Sequence, residues 1–407
     1  MPELKKLLHL RQQLGQMQER SISNLPRFYL DYNATAPVSE SVLNWLKTGV
    51  VDFKNPSSIH QSGKQAKKMV REARQHLFQT FHLKEEEFQL FFHSGATEAL
   101  NQIMKGFVLK NSSPQVLYCS TDHSAVVKQK ILLERLGASC FEISVNLSGE
   151  LDWAQLESEI GRRVKVGPTL LNLTWMNNET GQVLDLKKFA QLKQQFKDLW
   201  IHIDAVQAPL KIEDWQTPNS AFDAYTYSGH KFGALKGIGM TFIKNNFPFT
   251  SLIEGGGQQF GLRSGTENVP GIYSLSVALH DCVGYKDFAQ DRQKRDWFEA
   301  QLKKDFGEQV IFVGQLFKFR NTSTSNVIFK KQNSDITTMA LDIEGLEVSS
   351  GSACSSGATI PSRVLLSMGY PKEQALQAIR ISFPPALDQI AYEEIALRFK
   401  RVLSRYL

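Results

Sequence analysis

Five β-prone runs in this chain each end on a short cluster of small and polar residues. Phe88–His93 leads into Ser94-Gly95-Ala96-Thr97-Glu98, Gln115–Cys119 into Ser120-Thr121-Asp122-His123, and Thr169–Met176 into Asn177-Asn178-Glu179-Thr180-Gly181. Trp200–Ile203 leads into Asp204-Ala205-Val206-Gln207, and the run from Ala224 to Tyr227 into Ser228-Gly229-His230-Lys231. Strands that alternate with helices predict an α/β chain with a mostly parallel sheet covered by helices on both faces. In such sheets ligands bind at the C-terminal ends of the strands. His123, Asn178, Asp204, Gln207 and Lys231 all fall at such ends, so they should converge in space.

The rest of the chain frames this region. Residues 1–27 carry a loose apolar stripe (Leu4, Leu7, Leu8, Leu14, Met17) and predict an appended surface helix. Residues 28–32 predict a short strand, after which Asn33-Ala34-Thr35-Ala36-Pro37 turns the chain into a helix near Ser39. Ala66, Met69, Val70, Ala73 and Leu77 share one helical face and belong to the core. Two glycine-rich polar segments, 254–258 and 263–267, precede a long helical region over 270–306. Beyond it the strands are grouped (326–330, 346–349, 378–383), which predicts a smaller α+β domain. The expected division is 1–27, a large domain over 28–280 and a small one over 281–407, with 28–40 packing on the small domain.

With 407 residues, 42% hydrophobic and 22% charged, the chain can build a substantial core. Its net charge of +6 suits anionic ligands, but no basic block predicts direct nucleic-acid binding. No apolar run reaches membrane-spanning length. Cys119, Cys140, Cys282 and Cys354 show neither metal-ligand nor disulfide-framework spacing, which predicts no metal site and a reducing cytoplasm.

The convergent residues suit one cofactor chemistry. A lysine that ends a strand beside a hydroxyl, an imidazole and glycines suits imine formation, because crowding lowers its pKa. A pyridoxal phosphate enzyme needs that lysine, an acid under the pyridine nitrogen, a flat group over the ring and a cup for the phosphate. Lys231, Asp204, His123 and Ser94–Thr97 answer in that order; Gln207 or Asn178 could reach the ring hydroxyl. Each has a plainer reading: a surface lysine, a helix cap for Asp204, a satisfied strand-end histidine for His123. Cys354, in Ser349-Ser350-Gly351-Ser352-Ala353-Cys354-Ser355-Ser356-Gly357, lacks apolar neighbours and is expected to be an exposed thiol on a movable loop. Arg380 lies in an apolar strand and needs an anion, either a substrate carboxylate or a structural salt bridge.

The chain resembles the cysteine desulfurases, pyridoxal phosphate enzymes of the class-V aminotransferase fold group (fold type I). YLDYNATAP (Tyr29–Pro37), NPSSIH (Asn55–His60), SGATEA (Ser94–Ala99), TDHSAV (Thr121–Val126), MNNETG (Met176–Gly181) and HIDAVQ (His202–Gln207) carry the resemblance. So do YSGHK (Tyr227–Lys231), KGIG (Lys236–Gly239), GLRSGTEN (Gly261–Asn268), SSGSACSSG and IRISF. The resemblance implies that Lys231 holds the cofactor as an imine and His123 stacks on the ring and moves protons. Asp204 pairs with the pyridine nitrogen and Gln207 with the ring oxygen. Ala96, Thr97, Ser228 and His230 hold the phosphate, joined by Thr266 of a second subunit in a homodimer. Asn178 contacts cofactor and substrate, and Asn33 and Arg380 bind the substrate. Cys354 takes sulfur from L-cysteine, leaves alanine and passes its persulfide to an acceptor, either an iron–sulfur cluster scaffold or a tRNA-thiolation protein. The long SSGSAC loop is similar to that of the subgroup with an extended catalytic loop.

Three features depart from the family pattern, and the N-terminal extension over 1–27 is one of them. Phe232-Gly233-Ala234-Leu235 follows the lysine where many members have Tyr-Gly-Pro, and the chain reaches Leu407 where scaffold-loading members often continue into a tail. The rival readings are a selenocysteine lyase, another class-V aminotransferase, or a non-catalytic scaffold on the same fold.

Overall fold

A computed structural model describes residues 26–49, 53–350 and 360–405. The N-terminal helix expected over 1–27 lies almost wholly outside the described residues, and Cys354 lies outside them too. The first strand, β1 (Phe28–Tyr29), is shorter than predicted. The next seven are β2 (Phe88–His93), β3 (Gln115–Cys119), β4 (Ser139–Ile143), β5 (Thr169–Thr174), β6 (Leu199–Asp204), β7 (Ala224–Ser228) and β8 (Gly239–Lys244). They form one sheet in the order β2-β8-β7-β6-β5-β3-β4. Strands β3 to β7 pair in parallel, while β8 runs antiparallel to both β7 and β2. The glycine-rich stretch after Lys231 therefore returns the chain as β8, a strand that the run of glycines conceals from a sequence reading.

Helices cover both faces because the strands are apolar on both. Leu199, Ile201 and Ile203 of β6 point to one side, toward Phe189, Ala73, Leu77 and Leu275 on three helices. On the other side Phe91, Val116, Leu170 and Ile243 meet Leu100, Ile103, Met104 and Phe107 of the helix Ala96–Lys110. Near their C-terminal ends the strands turn polar on this second side: Asn172 and Thr174, His202 and Asp204, Thr226 and Ser228. Period-2 alternation puts all six on the face beneath the same cleft.

The helical region expected over 270–306 is two helices, Val269–Val283 and Phe288–Phe306. The first packs on the helix Gln61–Thr80 beside the large sheet, the second on the C-terminal helix Gln389–Leu403. Each follows a different core, so the chain must bend between them, and Gly284 caps the first. Beyond lie β9 (Val310–Val313), β10 (Thr324–Phe329), β11 (Leu346–Glu347), β12 (Ser349–Ser350) and β13 (Ala378–Ser382). β12-β13-β10-β9 form an antiparallel sheet over its own apolar cluster, which includes Leu341, Ile379, Ile381 and Phe399. β1 pairs in parallel with β11, and Asp31 bridges to Ser382, which ties residues 28–31 to this second sheet.

Candidate active site

A cavity of about 680 Å³ opens at the C-terminal ends of β3, β5, β6 and β7. Its walls include His123, Asn178, Asp204, Gln207, Ser228, His230 and Lys231, together with Ala96 and Thr97 from the turn after β2. Asn33, Arg380 and Thr266 are not among its lining residues.

Lys231 ends a short 3₁₀ turn after β7. Its Nζ donates to the Asn33 and Ala34 carbonyls, both at 2.7 Å. Burial pulls its pKa down to about 8, aided by Arg380 and opposed by Asp31 and Asp204. Asp204, at the end of β6, accepts from the Val206 N–H at 3.1 Å. Burial pushes its carboxyl up to about 7, with Asp122 adding to the rise and the Val206 bond and Lys231 opposing it. Gln207 Nε2 donates to the Asn33 carbonyl at 2.9 Å, while its buried Oε1 has no protein partner.

His123, four residues beyond the end of β3, caps the short helix Ser124–Val127: Nδ1 accepts from the Ala125 N–H at 3.1 Å. The neutral ring must then carry its proton on Nε2. The surrounding protein, with Lys231 and Arg363 nearby, holds its pKa below the ordinary value. His230 shares Nδ1 with Thr35 Oγ1 at 3.1 Å, and burial beside three lysines pulls its pKa down to about 4. The helix Ala96–Lys110 begins at Gly95, which offers no side-chain cap. An uncapped helix start presents free N–H groups and the positive end of the helix dipole to an anion. A Cβ on Gly95 would meet nothing within 4 Å, so this start borders open space.

Three expected residues stand elsewhere. Asn33 is buried; its side chain donates to the Asn178 carbonyl at 3.0 Å and Thr324 Oγ1 at 2.9 Å. Arg380 pairs with Asp31 at 2.7 Å and reaches the Asn178 carbonyl at 3.3 Å, so its intramolecular salt bridge is formed here. Thr266 is exposed on the glycine-rich segment. Sequence reasoning missed Thr35, Thr174, Met176, Val206 and Lys236 as walls, and missed Arg363 altogether. The Arg363 guanidinium donates to the Ser120 and Asp122 carbonyls and so braces the turn that carries His123. Nothing local to Arg363 in the sequence signals that contact.

Residues 28–390 match the family model of the class-V aminotransferases. The chain belongs to this family. Its curated relatives include a cysteine desulfurase IscS from Dictyoglomus turgidum, 30% identical over 87% of this chain and 89% of that protein. A cysteine desulfurase from Cereibacter sphaeroides is 34% identical over 90% of this chain and 97% of its own length. Among solved structures, a NifS-like protein from Rickettsia africae superposes with a TM-score of 0.81 at 26% identity, covering 93% of this chain and 99% of that one. SspA, solved in complex with cysteine, gives a TM-score of 0.73 at 28% identity over 88% of this chain and 99% of its own.

Class-V aminotransferases are pyridoxal phosphate enzymes of fold type I, and this cavity fits that cofactor. It offers a desolvated amine, a buried carboxyl suited to a cationic ring nitrogen, a buried acceptor on Gln207 for a ring hydroxyl, and an uncapped helix start for phosphate. No described helix is long and apolar enough to cross a membrane.

Proposed function

We propose that this chain is a cysteine desulfurase that takes sulfur from L-cysteine, releases L-alanine and carries the sulfur as a persulfide on Cys354. The convergence of Lys231, Asp204 and His123 on one cavity with an uncapped helix start is the observation that carries the reading. When bound, pyridoxal phosphate supplies an electron sink beside the substrate α-carbon. Lys231 would hold the cofactor, Asp204 would keep the ring nitrogen protonated, and Gln207 and Asn178 would orient the ring. Ala96, Thr97, Ser228 and His230 would bind the phosphate, and His123 would move protons through Nε2. Cys354 would attack as thiolate: its Sγ bonds to the substrate sulfur, the substrate C–S bond breaks, and the electron pair is left on the carbon skeleton, which gains protons to become alanine.

Arg380 is proposed to bind the substrate carboxylate by giving up Asp31. Because Asn33 is buried, its part is to hold the Asn178 loop against β10. Thr266 is exposed and away from this cavity, which supports its serving the site of a second copy in a homodimer. The proposed division falls near residue 280, in the last turn of the helix Val269–Val283 and just before the two helices part at Gly284. Free Cys119, Cys140 and Cys282 support a cytoplasmic setting. The proposed acceptor is a thiol on an iron–sulfur scaffold or a tRNA-thiolation protein, reached by thiol exchange.

Cysteine added to the purified holoenzyme should leave one extra sulfur on the peptide containing Cys354, read by mass spectrometry. Cys354→Ala should keep the bound cofactor's visible absorbance and lose alanine release. Alanine release at the parent rate from that variant refutes the proposal.

A further inference from the structure

A row of buried polar side chains lies beneath the cavity and takes no part in the proposed chemistry. Asn172, His202 and Thr226 sit two residues below Thr174, Asp204 and Ser228 on the same sheet face. Asn172 pairs with His202 across β5 and β6, and Thr226 with Thr241 across β7 and β8. Asp122 closes the row at one end and His93 at the other; all six are at most 2% exposed. Contact is continuous. Asn172 Nδ2 lies 2.9 Å from Asp122 Oδ2, Asn172 Oδ1 2.7 Å from His202 Nδ1, and His202 Nε2 2.8 Å from Thr226 Oγ1. Thr226 Oγ1 lies 3.0 Å from Thr241 Oγ1, which lies 3.1 Å from His93 Nε2.

Donor and acceptor bookkeeping gives the row a direction. An ionised carboxylate only accepts. Asp122 accepts from the Cys119 N–H, the Thr174 N–H and hydroxyl, and Asn172 Nδ2. With its amide nitrogen turned to Asp122, Asn172 offers Oδ1 to His202, so His202 must carry its proton on Nδ1. His202 Nε2 then accepts from Thr226, whose oxygen accepts from Thr241. The Thr241 oxygen accepts in turn from His93, whose proton must be on Nε2. His93 Nδ1 is left as a buried lone pair without a partner. Burial pulls the pKa of His202 down to about 3 and that of His93 to about 4, so both rings are neutral at physiological pH.

We propose that Asp122 polarises this row into one directional hydrogen-bond chain, which fixes the tautomers of His202 and His93 and positions the turns bearing His123 and Ser94–Thr97. Asp122 immediately precedes His123, and His93 immediately precedes Ser94, so the chain ties together two turns that both line the cavity. His202, directly under Asp204, is its central positioning residue.

The test is nitrogen NMR of protein labelled at histidine with ¹⁵N, with and without pyridoxal phosphate. The parent protein should show the proton of His202 on Nδ1 and that of His93 on Nε2. In Asp122→Asn the amide can donate as well as accept, so both rings should move toward the other tautomer, including His93 five hydrogen bonds away. Thr241→Val cuts the chain near its far end; His93 should become a tautomer mixture while His202 stays on Nδ1. The opposite tautomers in the parent, or unchanged tautomers in whichever of these variants folds, overturn the proposal. In the folded variants that shift tautomer, pyridoxal phosphate should also be released several-fold faster; release within twofold of the parent overturns the positioning role. The tautomer readout needs no cofactor, so its failure is distinct from failure of the desulfurase reading.

Discussion

The lowered pKa of Lys231 makes capture of the cofactor by the apoenzyme a sharp test. At pH 7 an amine with a pKa of about 8 is roughly 9% neutral, whereas an ordinary lysine near 10.5 is about 0.03% neutral. The reactive fraction is thus about 300-fold larger for Lys231 at that pH. The sign follows from the environment: burial penalises the ammonium form and Arg380 repels it, outweighing the attraction of Asp31 and Asp204. Apoenzyme mixed with pyridoxal phosphate in a stopped-flow spectrometer should therefore show a capture rate that climbs tenfold per pH unit below about 8 and flattens above it. Nα-acetyl-lysine under the same conditions corrects for titration of the cofactor itself, and should keep climbing past pH 10. A rate for the protein that rises without a plateau up to pH 10, parallel to the free amine, would show that burial does not desolvate the amine.

Other residues give independent checks. Lys211 is 4% exposed, with Nζ donating to the Lys231 carbonyl at 3.2 Å, and burial pulls its pKa down to about 7. The unfolded chain then holds more protons between about pH 7 and 10.5, so stability rises with pH there, by about 2 kcal/mol from pH 7 to 9 from this group alone. Lys211→Met should remove that increment from the denaturant midpoint measured at the two pH values; an unchanged slope contradicts it. Asp31→Asn should free Arg380 from its 2.7 Å ion pair and lower KM for cysteine more than it alters kcat; a KM that rises instead would mark the pair as purely architectural. A Cβ on Gly239 would lie 2.4 Å from His93 Cε1. It would also lie 2.7 Å from the Tyr227 carbonyl oxygen, so Gly239→Ala should cost about 1–3 kcal/mol in chemical denaturation, and a change within error would mean that both the His93 ring and the Tyr227 backbone can yield.

Much of the site could be read from local pattern. Strands such as Phe88–His93 and Gln115–Cys119 fall on the predicted residues, because a run of alternating or continuous apolar side chains ended by small polar residues is a short-range signal. Arg380 shows where that signal stops. A charge in an apolar strand announces that it needs a partner, yet Asp31, 349 positions away, could be identified only once β13 lay beside the N-terminal segment. The row from Asp122 to His93 is similar. A histidine two residues before Asp204 must share its face, but its hydrogen bonds depend on which strands are neighbours.

Sequence alone determined the alternation of strand and helix, the gathering of polar side chains at strand ends, and the set of groups suited to pyridoxal phosphate. These follow from backbone periodicity and side-chain chemistry, which act within a few residues. Tertiary structure decided the strand order, the reversed β8, the salt bridge held by Arg380 and the direction of the buried polar row. Each of those rests on contacts between segments far apart in the chain, where packing and the demand that every buried donor find an acceptor select one arrangement from many that local preference allows.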